Sequence, residues 1–351
     1  MRCRLARSLL LVVALLVSVG AGWPHDGGHR PGPGPVPIRI GVPEPTNLQF
    51  LNFWVAVGAG YFEDAGLAPE LVVPPMPGQM PQFLLQGQVD VTVLQPTLFL
   101  GLIGQEQPVS LFTNLLTNDP INLIVDRDVA DDFDLSATDP LEDRLQAMEG
   151  LKVGAADNVV NRLEVLFASV GLEADDIIEV VVLHGPEQVP GLTDGTVDAL
   201  YTHTPFMEQA LVDHEAFLLV NQSAGEVPEL ADLQVHAMVS TNSYIEDNPL
   251  ATFRVTRALY RAQRLIHEDP EAAVQAVLGS GVPNLVEARV EALVDIYSPA
   301  VPDKPMVRPH GVVRAADLFT GRPVEPDFTQ IDVHDYIDNR FAWLALLLGG
   351  H

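Results

Sequence analysis

Short apolar runs bounded by turn residues alternate along this chain with stretches whose apolar positions recur at helical spacing, and one stretch organises the rest. Leu85-Gln86-Gly87-Gln88-Val89-Asp90-Val91-Thr92-Val93-Leu94-Gln95-Pro96 closes a helical pattern, turns at glycine and enters a run apolar enough for a strand covered on both faces. A looser copy returns as Thr193-Asp194-Gly195-Thr196-Val197-Asp198-Ala199-Leu200-Tyr201-Thr202-His203-Thr204-Pro205. Gly87 and Gly195 suit the left-handed residue just after a helix, and Asp90 and Asp198 can bond nearby backbone. The repeat predicts two α/β lobes of equivalent layout. Ligands of open α/β sheets sit beyond the carboxyl ends of the strands. Gln95-Pro96 and Thr202-His203-Thr204-Pro205 are therefore expected to face each other across a cleft.

The neighbouring pattern extends this reading. Strands are predicted over 38–42, 71–73 and 89–94, with helices over 50–57, 81–86 and 97–103, the β-α-β-α-β rhythm of a parallel sheet. Two further strand-like runs, 109–116 and 121–125, flank Thr117-Asn118-Asp119-Pro120, where the chain is expected to change lobes. The acidic stretch 126–143 reads as surface loop and a short helix. A second series then follows, with strands over 151–154 and 178–183, helices over 159–170 and 188–193, and the second copy of the motif. Strands over 217–220 and 235–240 complete the set, the last returning to the first lobe. From Asn248-Pro249 onward the pattern is helical, with Phe253, Val255, Leu259, Ala262, Leu265 and Ile266 on one stripe and Pro249 near the helix start. Further helices are expected over 270–278 and 285–296, and a closing helix over 333–348. Arg254, Arg257, Arg261 and Arg264 form a basic stripe that reads as a solvated face pairing with an acidic surface.

The amino terminus changes the picture. Arg2, Arg4 and Arg7 precede an apolar run from Leu9 to Val19, and the small residues Gly20-Ala21-Gly22 follow. This is a cleavable signal peptide pattern over 1–22, with an apolar run shorter than the roughly 20 residues of a spanning helix. Residues 23–37, rich in Pro and Gly, read as an extended tether. The only cysteine of the 351 residues, Cys3, precedes the apolar run, the wrong end for a lipoprotein signal. Beyond the leader the chain therefore has no disulfide, thiolate nucleophile or cysteine-based metal site. A net charge of -28, from 47 acidic against 19 basic residues, works against nucleic acid and anionic membrane surfaces as partners. The histidines lack metal spacing, and no Ser-His-Asp constellation can be assembled. No metal, cofactor or catalytic residue is expected.

Several segments carry a resemblance when taken in order: Ile38 to Val42, Gly60-Tyr61-Phe62 with Gly66-Leu67, Gly87 to Val91, Gly150-Leu151-Lys152-Val153-Gly154, Gly171-Leu172, Gly195 to Ala199, and Pro205. Their order and spacing resemble the solute-binding proteins of the sulfonate, nitrate and thiamine-precursor group, whose domain is shared with fungal thiamine pyrimidine synthases. The resemblance implies an α/β, two-lobed periplasmic binding protein of type II, each lobe a mainly parallel sheet flanked by helices, joined by two crossing strands. It places lobe 1 at 38–120 and 236–351 and lobe 2 at 121–235. It also implies an extracytoplasmic monomer that closes on a small-molecule ligand and delivers it to an ABC permease in the membrane.

Sulfonate and nitrate binders of this group hold the anion on backbone donors and small hydroxyl residues at a helix start. Here Ala155-Ala156-Asp157-Asn158 stand in that place, and Asp157 would repel an anion. A capping role for Asp157 or Asn158 is the plainer alternative. Trp54 and His203 suggest an aromatic or heterocyclic ligand held by stacking and a few directed hydrogen bonds. The candidate ligand-binding residues are Asn47, Trp54, Gln95, Asn118, Asp119, Asp157, Asn158, Thr202, His203 and Thr204. The leading ligand class is a neutral or cationic heterocycle such as a pyrimidine thiamine precursor. An alkylsulfonate or nitrate binder, a ligand sensor for a membrane partner and a synthase-like enzyme remain open. The last is disfavoured by the lack of cysteine beyond the leader and by Lys152 and Lys304, the only lysines, neither well placed to bind an aldehyde.

Overall fold

The computed structural model describes residues 34–319 and 331–348. The leader assigned to 1–22, and the tether as far as residue 33, lie outside the described residues. In chain order the strands are β1 (Val36–Gly41), β2 (Leu67–Val72), β3 (Val91–Leu94), β4 (Val109–Leu116), β5 (Asn122–Val125), β6 (Lys152–Ala155), β7 (Glu179–Val182), β8 (Ala199–Thr202), β9 (Phe217–Val220) and β10 (His236–Thr241). They form two five-stranded sheets, ordered β2-β1-β3-β10-β4 and β7-β6-β8-β5-β9. β1 runs parallel to β2 and β3, and β6 runs parallel to β7 and β8. β10 lies antiparallel between β3 and β4, and β5 antiparallel between β8 and β9. Each sheet thus has four strands pointing one way and one against them. The exceptional strand in each is the first after a crossing between sheets, so the chain passes between the lobes twice.

The repeated motif folds as its residues dictate. Gly87 and Gly195 take the left-handed conformation at φ 67° and 76°. Asp90 donates its amide to the Arg39 carbonyl at 2.9 Å and accepts the Arg39 amide on Oδ2 at 2.7 Å. Asp198 makes the same pair with Lys152, at 2.8 Å and 2.7 Å. In both lobes an aspartate closes the ladder where the central parallel strand begins, which fixes the register of β3 against β1 and of β8 against β6. The equivalence of the lobes therefore extends to single hydrogen bonds.

Tight packing joins the helix Leu51–Gly58 to the helix Pro270–Leu278. A Cβ on Gly58 would lie 1.7 Å from the Ala276 carbonyl oxygen, so only glycine fits this crossing. Gly58→Ala is expected to lower stability by about 2 kcal/mol or more, because backbone and not a flexible side chain must move. Thermal unfolding checks this, and an unchanged midpoint would contradict the packing.

Four elements differ from the sequence reading. β2 begins at Leu67, four residues before the apolar run at 71–73, because it is an edge strand where Pro69 is tolerated. The closing helix over 333–348 is broken: a 3-10 turn spans Val333–Tyr336, and the helix proper is Arg340–Leu348. Between them Asp338 donates its amide to the Leu111 carbonyl, diverting the backbone onto β4. The acidic stretch holds two short helices, Arg127–Asp132 and Leu141–Gln146. The helix Pro309–Phe319 was not anticipated at all. The arginine stripe behaves as expected: Arg254 bonds the Gly66 carbonyl, Arg261 pairs with Asp64 at 3.1 Å, and Arg264 pairs with Glu268 at 2.8 Å.

Candidate functional site

The loops after β1, β3, β6 and β8, all at carboxyl ends of parallel strands, open onto one cleft of about 460 Å³. Glu44, Asn47 and Gln49 come from the first loop, and Gln95, Pro96 and Thr97 from the second. Asp157, Asn158, Val159, Asn161 and Arg162 follow β6, and His203 follows β8. Pro120 and Ile121 at one crossing, Val235 and His236 at the other, and Leu318 and Phe319 complete the wall. A larger groove of about 810 Å³ runs between the helices Val160–Ala168 and Pro309–Phe319. Carboxylates line much of it and the motif residues do not reach it, so the interlobe cleft is the better candidate site.

The electrostatic centre of the cleft is an ion pair. Arg162 lies on the buried side of the helix Val160–Ala168 beside Leu163, Leu166 and Phe167. Its Nη1 donates to Asp119 Oδ1 at 3.1 Å, and both side chains are nearly or wholly inaccessible to solvent. The Phe319 ring centroid lies 4.7 Å from the guanidinium carbon, covering a second face. Asp119 Oδ1 also accepts the Ile121 amide at 3.2 Å, while Oδ2 has no hydrogen-bond partner. Burial raises the Asp119 carboxyl above its ordinary pKa, and the Arg162 charge pulls the other way.

Two imidazoles supply the directional chemistry. His203 Nδ1 contacts the Thr204 carbonyl, which can only accept, so that nitrogen carries the ring proton. Burial lowers the His203 pKa, so the ring is neutral at pH 7 with Nε2 as its acceptor nitrogen, and the residue lines the cleft. His236 is buried against the edge of Phe50, with Nε2 3.0 Å from Gln49 Oε1. Burial pushes its pKa down to about 3, so it too is neutral. Glu44 and Asp157 add acceptor oxygens at the rim.

The structure brings together some of the sequence-predicted residues and separates others. Asn47, Gln95, Asp157, Asn158 and His203 line the cleft, and Asp119 lies behind it as the counter-ion of Arg162. Asp157 accepts from the amide of Asn158 at 2.7 Å, lies 3.8 Å from His184 Nδ1, and makes no helix cap. Trp54 is core: it is 3% exposed, its ring meets Phe53 edge-on, and its Nε1 donates to the Asn47 carbonyl at 2.9 Å. It shapes the first loop from behind. Thr202 turns inward to bond Gln188 at 2.5 Å, and Thr204 turns inward to bond Glu208 at 2.5 Å. Asn118 ties the crossing to Ser223 and Asp232 at 2.9 Å and 3.2 Å, outside the cleft. Sequence reasoning missed Arg162, Gln49, His236 and Phe319. The one signal for Arg162 was a cation on the apolar stripe of an amphipathic helix. Among the described residues no cluster of three or more His, Cys, Asp or Glu could hold a metal, and no helix is long and apolar enough to cross a membrane.

This two-sheet architecture, with a polar cleft at the strand ends, is that of a two-lobed binding-protein fold. The chain belongs to the NMT1-like family, whose model matches residues 32–278. A comparison with curated proteins finds no match. Among solved structures, a protein of Bordetella bronchiseptica RB50 is similar at 18% identity and a TM-score of 0.64, over 90% of this chain and 98% of that one. The alkanesulfonate-binding protein SsuA of Xanthomonas axonopodis pv. citri, bound to MOPS, is similar at 18% identity and a TM-score of 0.59, over 88% of this chain and 100% of that one. The desulfurization enzyme DSZB is similar at 15% identity and a TM-score of 0.56, over 88% and 99%. Binding proteins and an enzyme thus share this fold, and the site itself must carry the functional argument.

Proposed function

We propose that the chain is an extracytoplasmic solute-binding protein that closes on one neutral or cationic heterocycle and delivers it to an ABC importer. Its ligand is a donor-bearing ring of the aminopyrimidine kind, such as a pyrimidine thiamine precursor. The protein acts as a monomer without catalysis, exported by the 1–22 leader. Its lobes, 38–120 with 236–351 and 121–235, close by a hinge at the two crossings. Family membership and fold support the class; the cleft supports the ligand.

The observation that carries the ligand class is the neutral His203, whose Nδ1 proton is taken by the Thr204 carbonyl. Nε2 is then an acceptor that asks for an N–H or O–H on the ligand. Glu44 and Asp157 ask for the same. A sulfonate or nitrate carries acceptors only and would meet a lone pair and two carboxylates. Arg162 is the observation that favours an anion, but its charge is already matched by Asp119 at 3.1 Å. Asn47, Gln95 and Asn158 can bond either class.

Thermal stabilisation by an aminopyrimidine should follow mass action for one site. His203→Ala should weaken that binding by about fivefold or more, the equivalent of losing one buried hydrogen bond of about 1 kcal/mol. A change below about twofold, within the scatter of hydrogen-bond energies, would remove His203 from the site.

A further inference from the structure

The helix Pro309–Phe319 lies outside the family-matched residues, which end at 278, yet it reaches the cleft. Its buried face, Val312, Ala315 and Ala316, packs in one cluster with Phe99, Leu102 and Ile103 of the helix Pro96–Gly104, on the first sheet's side. Its far end is tied to the second sheet's side, where Asn161 Nδ2 donates to the Leu318 carbonyl at 2.8 Å. Arg314 bonds the Pro228 carbonyl at 2.7 Å in the crossing that leads to β10. Phe319 is thereby delivered over Arg162, the only Arg or Lys among the described residues lining the cleft.

We propose that Phe319 is a specificity-determining residue that, with Asp119, makes the cleft reject oxyanions. This rests on the ligand class proposed above and names the device that sets it. A guanidinium anchors an oxyanion through a free edge of N–H donors and an uncompensated charge. Here Asp119 holds one side of Arg162 and compensates its charge, while the aromatic ring covers a second face and excludes water from it. An incoming anion must displace the ring and share the guanidinium with a buried carboxylate. A cleft of the same shape with a smaller residue at 319 would present Arg162 to solvent and accept an anion. The helix Pro309–Phe319 thereby acts as a selectivity strap over the cleft.

The test is titration calorimetry of ethanesulfonate against the full mature chain and its Phe319→Ala and Phe319→Leu variants. All three are checked for folding by circular dichroism. Wild type should bind ethanesulfonate weakly or not at all. Phe319→Ala should bind it about tenfold or more tightly, with an affinity that falls as salt is raised. Phe319→Leu, which keeps apolar cover without a π face, should lie between them. A folded Phe319→Ala whose ethanesulfonate affinity stays within about twofold of wild type, well below what uncovering the guanidinium should gain, overturns the proposal. Failure of the ligand class shows separately: wild type would then bind ethanesulfonate tightly and no aminopyrimidine, whatever stands at 319.

Discussion

Arg162→Met is expected to destabilise the folded chain by about 3 to 5 kcal/mol, the cost of leaving a buried charge uncompensated. Asp119 is fully buried, and its Oδ2 already lacks a partner, so Arg162 and the Ile121 amide are what hold its charge. Methionine keeps the volume and the contact with Phe319 but removes the cation. The double variant Arg162→Met with Asp119→Asn should recover much of the loss, because replacing both members of a buried pair is far cheaper than removing one. Urea unfolding of the two single variants and the double variant measures the coupling. A loss below about 1 kcal/mol for Arg162→Met, the worth of a surface pair, would mean that the pair is solvated and that the cleft floor is wetter than described.

The second large effect is a pH dependence hidden by cancellation. Glu208, on the helix Phe206–Asp213, is 2% exposed, accepts from Thr204 Oγ1 at 2.5 Å and has an unpartnered Oε2. Burial pushes its pKa from 4.5 to about 7, with Thr204 and the more distant Arg289 opposing. The folded state therefore holds a proton that the unfolded state has lost, and this contribution is full below pH 4.5 and fades as pH rises to about 7. His236 runs the other way. Its pKa falls from 6.5 to about 3 on burial, so its contribution is full above pH 6.5 and is lost as pH falls towards 3.

Between pH 4.5 and 6.5 the two slopes oppose each other and the pair contributes little net change. Glu208→Gln should expose the His236 slope, so that relative to wild type its stability rises by about 3 kcal/mol across that interval. His236→Asn should expose the Glu208 slope and fall by a similar amount. Denaturant midpoints at several pH values check both. Parallel profiles for wild type and Glu208→Gln would show that Glu208 is not buried as described.

How far the sequence foretold this molecule depends on the reach of each interaction. The motif was legible because its causes are local: Gly87 and Gly195 need a positive φ, and Asp90 and Asp198 bond Arg39 and Lys152 of the adjacent strand. Two copies of one local code were enough to give two lobes and a cleft at the strand ends. The side of the cleft on which each residue points was less legible. Along the end of β8 successive side chains alternate, so His203 faces the cleft while Thr202 and Thr204 bond inward to Gln188 and Glu208. Only one of the three side chains therefore lines the cleft. Trp54 looked available because it stands one turn from the first loop, but its indole N–H is spent on the Asn47 carbonyl.

Arg162 was hidden for a different reason. Its neighbours Leu163, Leu166 and Phe167 make the helix read as core, and the partner that keeps a cation there, Asp119, sits at the crossing between the sheets. Asp119 stands behind the cleft as a counter-ion and not in its wall. Phe319 was further still from view, since its helix follows a proline-rich segment beyond the family match. Long-range pairing decides the chemistry of this cleft, and a periodic pattern carries no record of it.

Titration calorimetry of the mature chain near neutral pH measures directly whether the cleft selects a donor-bearing heterocycle over an oxyanion, as proposed. A hydroxymethyl aminopyrimidine should bind one site per chain in the micromolar range or tighter, about 8 kcal/mol or more of binding free energy, while ethanesulfonate and nitrate give no saturable heat. Saturable one-site binding of ethanesulfonate, with none of the pyrimidine, would instead mark the cleft as an oxyanion site.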